Sequence, residues 1–202
     1  MPRFLTTADV ADFRERLCEA AARLFAEKGR DAVTMRQLAS ELGVSAMTPY
    51  RYFRDKDEIL AVVRASAFNG FAEALEQARA GAEGARNKAA AVGEAYISFA
   101  LDNPNTYKLM FDLHQPNEAS YPDLQTARDR AGKRMTTWVG DLIEAGQIAG
   151  DPERIGTMFW AAAHGAIVLE LAGALPSGSS RDLRRALLST LARGLRPPPA
   201  DA

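Results

Sequence analysis

Cysteine is nearly missing from this chain of 202 residues: Cys18 is the one thiol, so no intrachain disulfide can form. Histidine is almost as scarce. With only His114 and His164 present, a Cys/His cage has too few ligands, and no metal is expected. No run of residues is both apolar and uncharged for the length that a membrane span needs, and Met1 to Phe4 lead into polar, charged sequence rather than the apolar core of a secretory signal. A cytoplasmic protein with no membrane partner is expected. The net charge of −1 argues against a uniformly basic nucleic-acid binder, so any such contact must come from a local face. Neither a nucleophile elbow, a glycine-rich phosphate loop nor a carboxylate pair stands out, so no catalytic residue and no cofactor are assigned.

What is present describes a globular chain. Hydrophobic residues make up 47% and charged residues 25%, with the charges scattered rather than gathered in tails. The length suits a small domain fused to a medium one. Residues 1–56 carry ten Lys/Arg against eight Asp/Glu, whereas the remainder carries fifteen against eighteen, so the amino-terminal end is mildly the basic one.

Apolar residues recur at steps of three and four through Val10, Phe13, Leu17, Ala21 and Leu24, which predicts a helix over about 8–28 with Thr6 and Asp9 at its start. Cys18 lies beside that stripe and reads as a small packed side chain. Thr34 and Gln37 have capping-box spacing, so a second helix starts near Met35, with Leu38, Ala39 and Leu42 inward and Gly43 at its end. Ser45 reads as the next cap, opening a helix of barely two turns over 46–52 that exposes Ala46, Met47, Pro49 and Tyr50, with Tyr52 at the edge of the exposed face. Asp55 and Glu58 repeat the pattern and launch a long helix. Lys56 stands in its first turn, where the helix dipole disfavours a cation.

Two short helices joined by a tight glycine turn suit the major groove of duplex DNA, where hydroxyls, amides and cations grip phosphates. Thr34, Arg36, Thr48, Tyr50, Tyr52 and Lys56 offer donors to phosphate oxygens; Ala46, Met47 and Pro49 offer only apolar contacts. A helical hairpin whose tyrosines merely pack is the bland alternative.

The pattern T-x-R-x-L-A-x-E-L-G-V-S-x-x-T-x-Y-R-Y-F-x-x-K-x-E-I-L over residues 34–60 resembles the DNA-binding segment of TetR-family repressors. The resemblance implies phosphate contacts by Thr48, Tyr50 and Lys56, base-edge contacts near Arg36, Ala46, Met47 and Tyr52, and Phe53 as a buried anchor. Ser45 belongs to the same DNA-binding set. Met47 and Pro49 depart from the commoner family residues, and Pro49 lacks the amide that a helix starting at Ser45 would use.

Further helices are predicted to about residue 79, over 85–101, from Pro104, over 123–146, over 155–172 with Asp151-Pro152 at its start, and over 183–195. Gln115 to Pro122 reads as a loop. The stretch Phe159-Trp160-Ala-Ala-Ala-His164-Gly165 resembles the WHG-type carboxy-terminal domain of part of the TetR family, with Gly165 at a close helix contact and the last two helices forming a dimer seam. The expected fold is therefore all-α: a three-helix helix-turn-helix DNA-binding domain at 1–56, a carboxy-terminal antiparallel helical bundle for effector binding and dimerisation at 57–196, about nine helices in all, and a disordered tail at 197–202.

The resemblance implies a homodimer on a palindromic double-stranded operator, released when a small apolar effector shifts the helix after the reader. Tyr96, Phe99, Met110, Phe111, Met135, Trp138, Phe159 and His164 are the candidates to line its pocket, each with plain core as the competing reading. Two other classes compete with the regulator. A helical adaptor would bind a protein instead of DNA, and an enzyme would have to use His164, which has no Asp, Ser or Cys in a recognisable arrangement.

Overall fold

In the computed structural model, residues 6–111, 118–176 and 179–196 are described. Among them are eight α-helices, two short 3-10 turns and no strand. The helices are α1 (Thr7–Lys28), α2 (Met35–Glu41), α3 (Lys56–Ala80), α4 (Ala85–Asp102), α5 (Pro104–Phe111), α6 (Pro122–Glu144), α7 (Pro152–Leu171) and α8 (Ser179–Gly194). None of the described helices is long and apolar enough to cross a membrane.

Local chemistry explains most of the boundaries. Thr6 and Asp9 form the expected capping box at α1, and Thr34 with Gln37 forms another at α2, the two bonds of the latter measuring 3.2 and 2.8 Å. Asp151 accepts from the amide of Arg154 at 2.7 Å and starts α7 ahead of Pro152. At α3, Asp55 accepts from the Glu58 amide at 2.9 Å, but the Glu58 carboxylate reaches past Asp55 to the amide of Arg54 at 2.7 Å. The last helix starts at Ser179, four residues before the expected Leu183. The expected tail at 197–202, His114 and the first part of the expected 115–122 loop lie outside the described residues.

The clearest departure is the segment expected as a helix over 46–52. It is a chain of turns with one 3-10 turn at Pro49–Arg51, in which the amides of Tyr52 and Phe53 both donate to the carbonyl of Pro49 at 3.0 Å. Ser45 is no helix cap: its carbonyl accepts from the Thr48 amide and its hydroxyl pairs with the Thr48 hydroxyl at 3.2 Å. Proline supplies the physical reason, because it has no amide for an α-helical bond at that position. This segment accounts for the count of eight α-helices rather than about nine.

By packing, the chain divides into two units: residues 1–69 with 105–128, and residues 70–104 with 129–202. Both α3 and α6 contribute to each, so division by packing differs from the division by role expected above. The first unit is built on Leu17, Leu24 and Phe25 of α1, Leu38 of α2, Phe53, Ile59 and Leu60 of α3, and Leu109 of α5. Cys18 packs against this cluster, and burial pushes its thiol up to about 11 against a smaller lowering by Arg14, so it is no ready thiolate. Arg64 of α3 is 2% exposed, donating to the carbonyl of Met110 at 3.0 Å and to Glu118 at 2.7 Å.

In the second unit Phe71 packs against Tyr96 and Phe99, with ring centroids 5.4 and 5.0 Å away. At Gly156 of α7 the helices approach closely: an added Cβ would stand 2.4 Å from Cγ2 of Thr136 on α6. Gly165, expected at such a contact, has no atom within 4 Å of a Cβ placed there. Helix α7 leaves Met158, Val168 and Leu169 exposed.

Candidate nucleic-acid interface and ligand cavity

Gly43, at φ +65°, turns the chain after α2 in a conformation that costs glycine little, and the amide of Val44 returns to the carbonyl of Ala39 at 3.0 Å. Beyond this turn the side chains separate into an inward and an outward set. Pro49, expected to be exposed, is buried, and so is Phe53. Tyr52 is half-buried with its ring 4.4 Å from that of Phe13, so α1 holds it. Arg14 fastens the same corner, donating to the carbonyl of Tyr52 and lying 4.0 Å over the Phe53 ring.

The outward set is Ser45, Ala46, Met47, Tyr50 and Arg51, joined by Thr34 and Arg36 at the start of α2; Thr48 is half-buried beside them. Met47 is 69% exposed and Tyr50 49%, the two most exposed large hydrophobic side chains among the described residues. The Thr34 hydroxyl is already engaged with Gln37 in the capping box. Lys56 is half-buried and donates to the carbonyls of Arg30 and Val33 at 3.0 and 3.3 Å, while Arg30 grips Asp57 through two bonds of 3.1 and 3.0 Å. These contacts give the dipole-disfavoured cation a structural reason: it caps carbonyls of the loop before α2. An ammonium has a third proton, so a phosphate contact is compatible with both bonds.

Three other cations of residues 6–56 face carboxylates. Arg16 pairs with Asp12, Arg23 with Glu41 and Arg54 with Glu58. Arg36 and Arg51 are exposed and have no such partner among the described residues. Arg51 was not singled out by sequence reasoning, which treated the outer face of 46–52 as an α-helix; the threefold repeat of the 3-10 turn puts it on the same side as Thr48.

The second unit holds a cavity of about 320 Å³ between α4, α6, α7 and α8. Of the eight candidate pocket residues, Tyr96, Met135, Trp138 and Phe159 line it. Phe99 packs against Phe71 instead. Met110 and Phe111 belong to the first unit, where Met110 is buried and Phe111 packs against Phe68 and Tyr107. His164 sits with its ring 5.6 Å from that of Trp160, and burial holds its imidazole below the ordinary value. Sequence reasoning missed the small residues Ala89, Ala90, Gly93 and Ala163, which make the space, and Trp160, Leu188 and Glu94, which border it. Their signal was small side chains at helical spacing next to aromatic ones.

A helical unit with a glycine turn and a partly exposed segment after it is thus joined to a second helical unit with an apolar cavity. Residues 17–63 match the model of bacterial regulatory proteins of the tetR family, and residues 89–195, more than half of the chain, match the Tetracyclin repressor-like C-terminal domain. The chain belongs to the TetR family of transcription regulators, which are DNA-binding proteins and not enzymes.

The HTH-type transcriptional regulator Mb1846 of Mycobacterium bovis is 26% identical over 141 residues, a match covering 67% of this chain and 58% of that protein. The chain thus spans little more than half the length of such relatives. A protein of unknown function from Rhodococcus sp. RHA1 is 32% identical with a TM-score of 0.80, over 98% of this chain and 100% of that one. The TetR-family regulator PfmR from Thermus thermophilus shares the fold, at 24% identity and a TM-score of 0.68 over 92% of this chain and 98% of that one.

Proposed function

We propose that the protein is a cytoplasmic, homodimeric repressor that binds a palindromic operator and is released by a small apolar effector. The observation that carries the reading is the separation of side chains at 45–53: Pro49 and Phe53 are locked inward, while Ala46, Met47, Tyr50 and Arg51 stand outward beside Arg36. Tyr50, Thr48 and Lys56 are assigned to phosphates, with Thr34 and Ser45 beside them. Arg36, Arg51, Ala46, Met47 and the edge of Tyr52 are assigned to bases, because a guanidinium can pair with guanine in two places and a methyl-rich surface suits thymine.

Exposed Met158, Val168 and Leu169 on α7 and Leu187 on α8 support a dimer formed through these two helices, since an uncovered apolar stripe is costly in water. A two-fold dimer reads half-sites about 34 Å or a multiple apart. By role, residues 1–56 are the reader and 57–196 the sensor and dimerisation part. One unbroken helix, α3, begins at the reader and ends in the cavity-bearing unit, so it is the element through which an effector acts. The effector works only through its different affinity for the two states of the dimer.

Selection of bound sequences from random duplex DNA tests the reading. A palindromic consensus is the expected result; no enrichment would sink it and leave a helical protein adaptor as the better account.

A further inference from the structure

The cavity of the second unit is almost wholly apolar, yet the one charged side chain among its described lining residues is a carboxylate. Glu94 and Ala90 lie one turn apart on α4; both are exposed and both border the cavity, as does exposed Ala192 of α8, so Glu94 stands where the cavity meets solvent. No Lys, Arg or His is among the described lining residues. Four aromatic side chains, Tyr96, Trp138, Phe159 and Trp160, surround the space, with Trp138 and Phe159 meeting edge to face at 5.0 Å.

These observations exclude one charge class and favour another. A carboxylate or phosphate ligand would bury its charge with no cation to meet it. The Trp138 indole N–H is no substitute, because it already donates to the carbonyl of Met135 at 2.6 Å, and the buried Trp160 indole N–H is a neutral donor that cannot balance a full negative charge. His164 is not among the described lining residues; its ring lies 5.6 Å from that of Trp160, and burial lowers its imidazole below the ordinary value. Aromatic faces, by contrast, attract positive charge, and a carboxylate at the mouth adds to that attraction.

We infer that the cavity takes a small organic cation, an ammonium group carried on an apolar body, with the body among the aromatic faces and the charge toward Glu94. The inference rests on the effector-pocket reading above and names its ligand class. Glu94 is a specificity residue in it; the aromatic walls supply most of the contact. A volume of about 320 Å³ suits a ligand of one ring with a branched head rather than an extended multi-ring molecule.

Both tryptophans of the chain border the cavity, so intrinsic fluorescence reports on it directly. The probes are benzyltrimethylammonium and neopentylbenzene, which share a shape and differ by nitrogen for carbon, together with phenylacetate as an anion. The expected result is saturable binding of the ammonium, no saturable binding of phenylacetate, and for Glu94→Gln about three- to fivefold weaker ammonium binding with neopentylbenzene unchanged. Glu94 is exposed, so the variant keeps the fold. If Glu94→Gln affects the two isosteres alike, or if phenylacetate binds as tightly as the ammonium, the cation assignment is overturned while the pocket stands. If no probe perturbs the tryptophans, the pocket reading itself fails and the cation assignment falls with it.

Discussion

Lys56 Nζ donates to the carbonyl oxygen of Arg30 across 3.0 Å, tying the first turn of α3 to the loop between α1 and α2. With the second bond to Val33, the ammonium has a structural task in addition to the phosphate contact proposed for it. Lys56→Ala is expected to cost about 1–2 kcal/mol of stability through the lost charge-assisted bonds, read by denaturant unfolding. It is also expected to reduce the slope of log K against log salt by about one. A stability loss with an unchanged salt slope would remove Lys56 from the DNA contacts.

Tyr50 and Phe53 lie three residues apart and predict opposite outcomes. Tyr50 is 49% exposed, so Tyr50→Ala leaves the melting temperature nearly unchanged and weakens binding to every DNA sequence. Phe53 is 2% exposed, and Phe53→Ala costs about 3–5 kcal/mol. Arg51→Ala is expected to relax preference at one position of the selected consensus rather than weaken all sequences equally; an unaltered consensus would reassign Arg51 to the backbone.

The Arg64 guanidinium depends on Glu118 for charge compensation. Burial raises the Glu118 carboxyl, but the bonds from Arg64 and Arg128 outweigh it and hold the group below its ordinary value. Nε and Nη1 of Arg64 are buried without hydrogen-bond partners among the described residues, so the site tolerates little further loss. Removing the partner leaves a buried cation, and Glu118→Ala is expected to destabilise by about 3 kcal/mol in urea unfolding. A loss below about 0.5 kcal/mol would show that water reaches Arg64 freely.

Gly156 is required by contact rather than by backbone conformation. Its added Cβ would overlap both Cγ2 and Cβ of Thr136, at 2.4 and 2.6 Å, so Gly156→Ala is expected to cost about 1–3 kcal/mol. Gly165→Ala, in open space, should cost less than the Gly156 change. Thermal melting of the two variants side by side checks the difference.

His164 sets an acid limit. Burial lowers its folded-state value below 6.5, so the unfolded chain binds a proton first as the pH falls. The stability linked to His164 is fully present above about pH 6.5 and is lost as the pH drops toward the folded value. His164→Gln, which cannot titrate, is expected to flatten the pH dependence of unfolding in that window. An identical profile in wild type and variant would show that the ring titrates normally.

Periodicity and caps were enough to locate the helices because both act within one or two turns of chain. Thr6, Thr34 and Asp151 make the predicted bonds, and Gly43 turns where the spacing demanded it. The family pattern over 34–60 was equally legible, since its residues are contiguous. The reading surface itself was legible only in part: Ala46, Met47 and Tyr50 are outward as expected, but Pro49 is inward and the segment is a 3-10 turn. A missing amide tells that an α-helix is weakened there; which alternative the chain adopts depends on Phe13, Arg14 and Phe53 closing over it.

The cavity was least legible. Tyr96, Trp138 and Phe159 look like core residues in any helical stripe, and only packing separates a filled space from an open one. By itself the sequence determined the all-α fold, the family and the place of its amino-terminal regulatory domain, because these depend on short-range spacing. Only the tertiary structure decided that Lys56 also holds the α1–α2 loop, that Gly156 packs tightly against Thr136, and that four of the eight pocket candidates border one cavity beside Glu94. Each of these turns on side chains far apart in the chain meeting within a few ångströms, a distance no local pattern encodes.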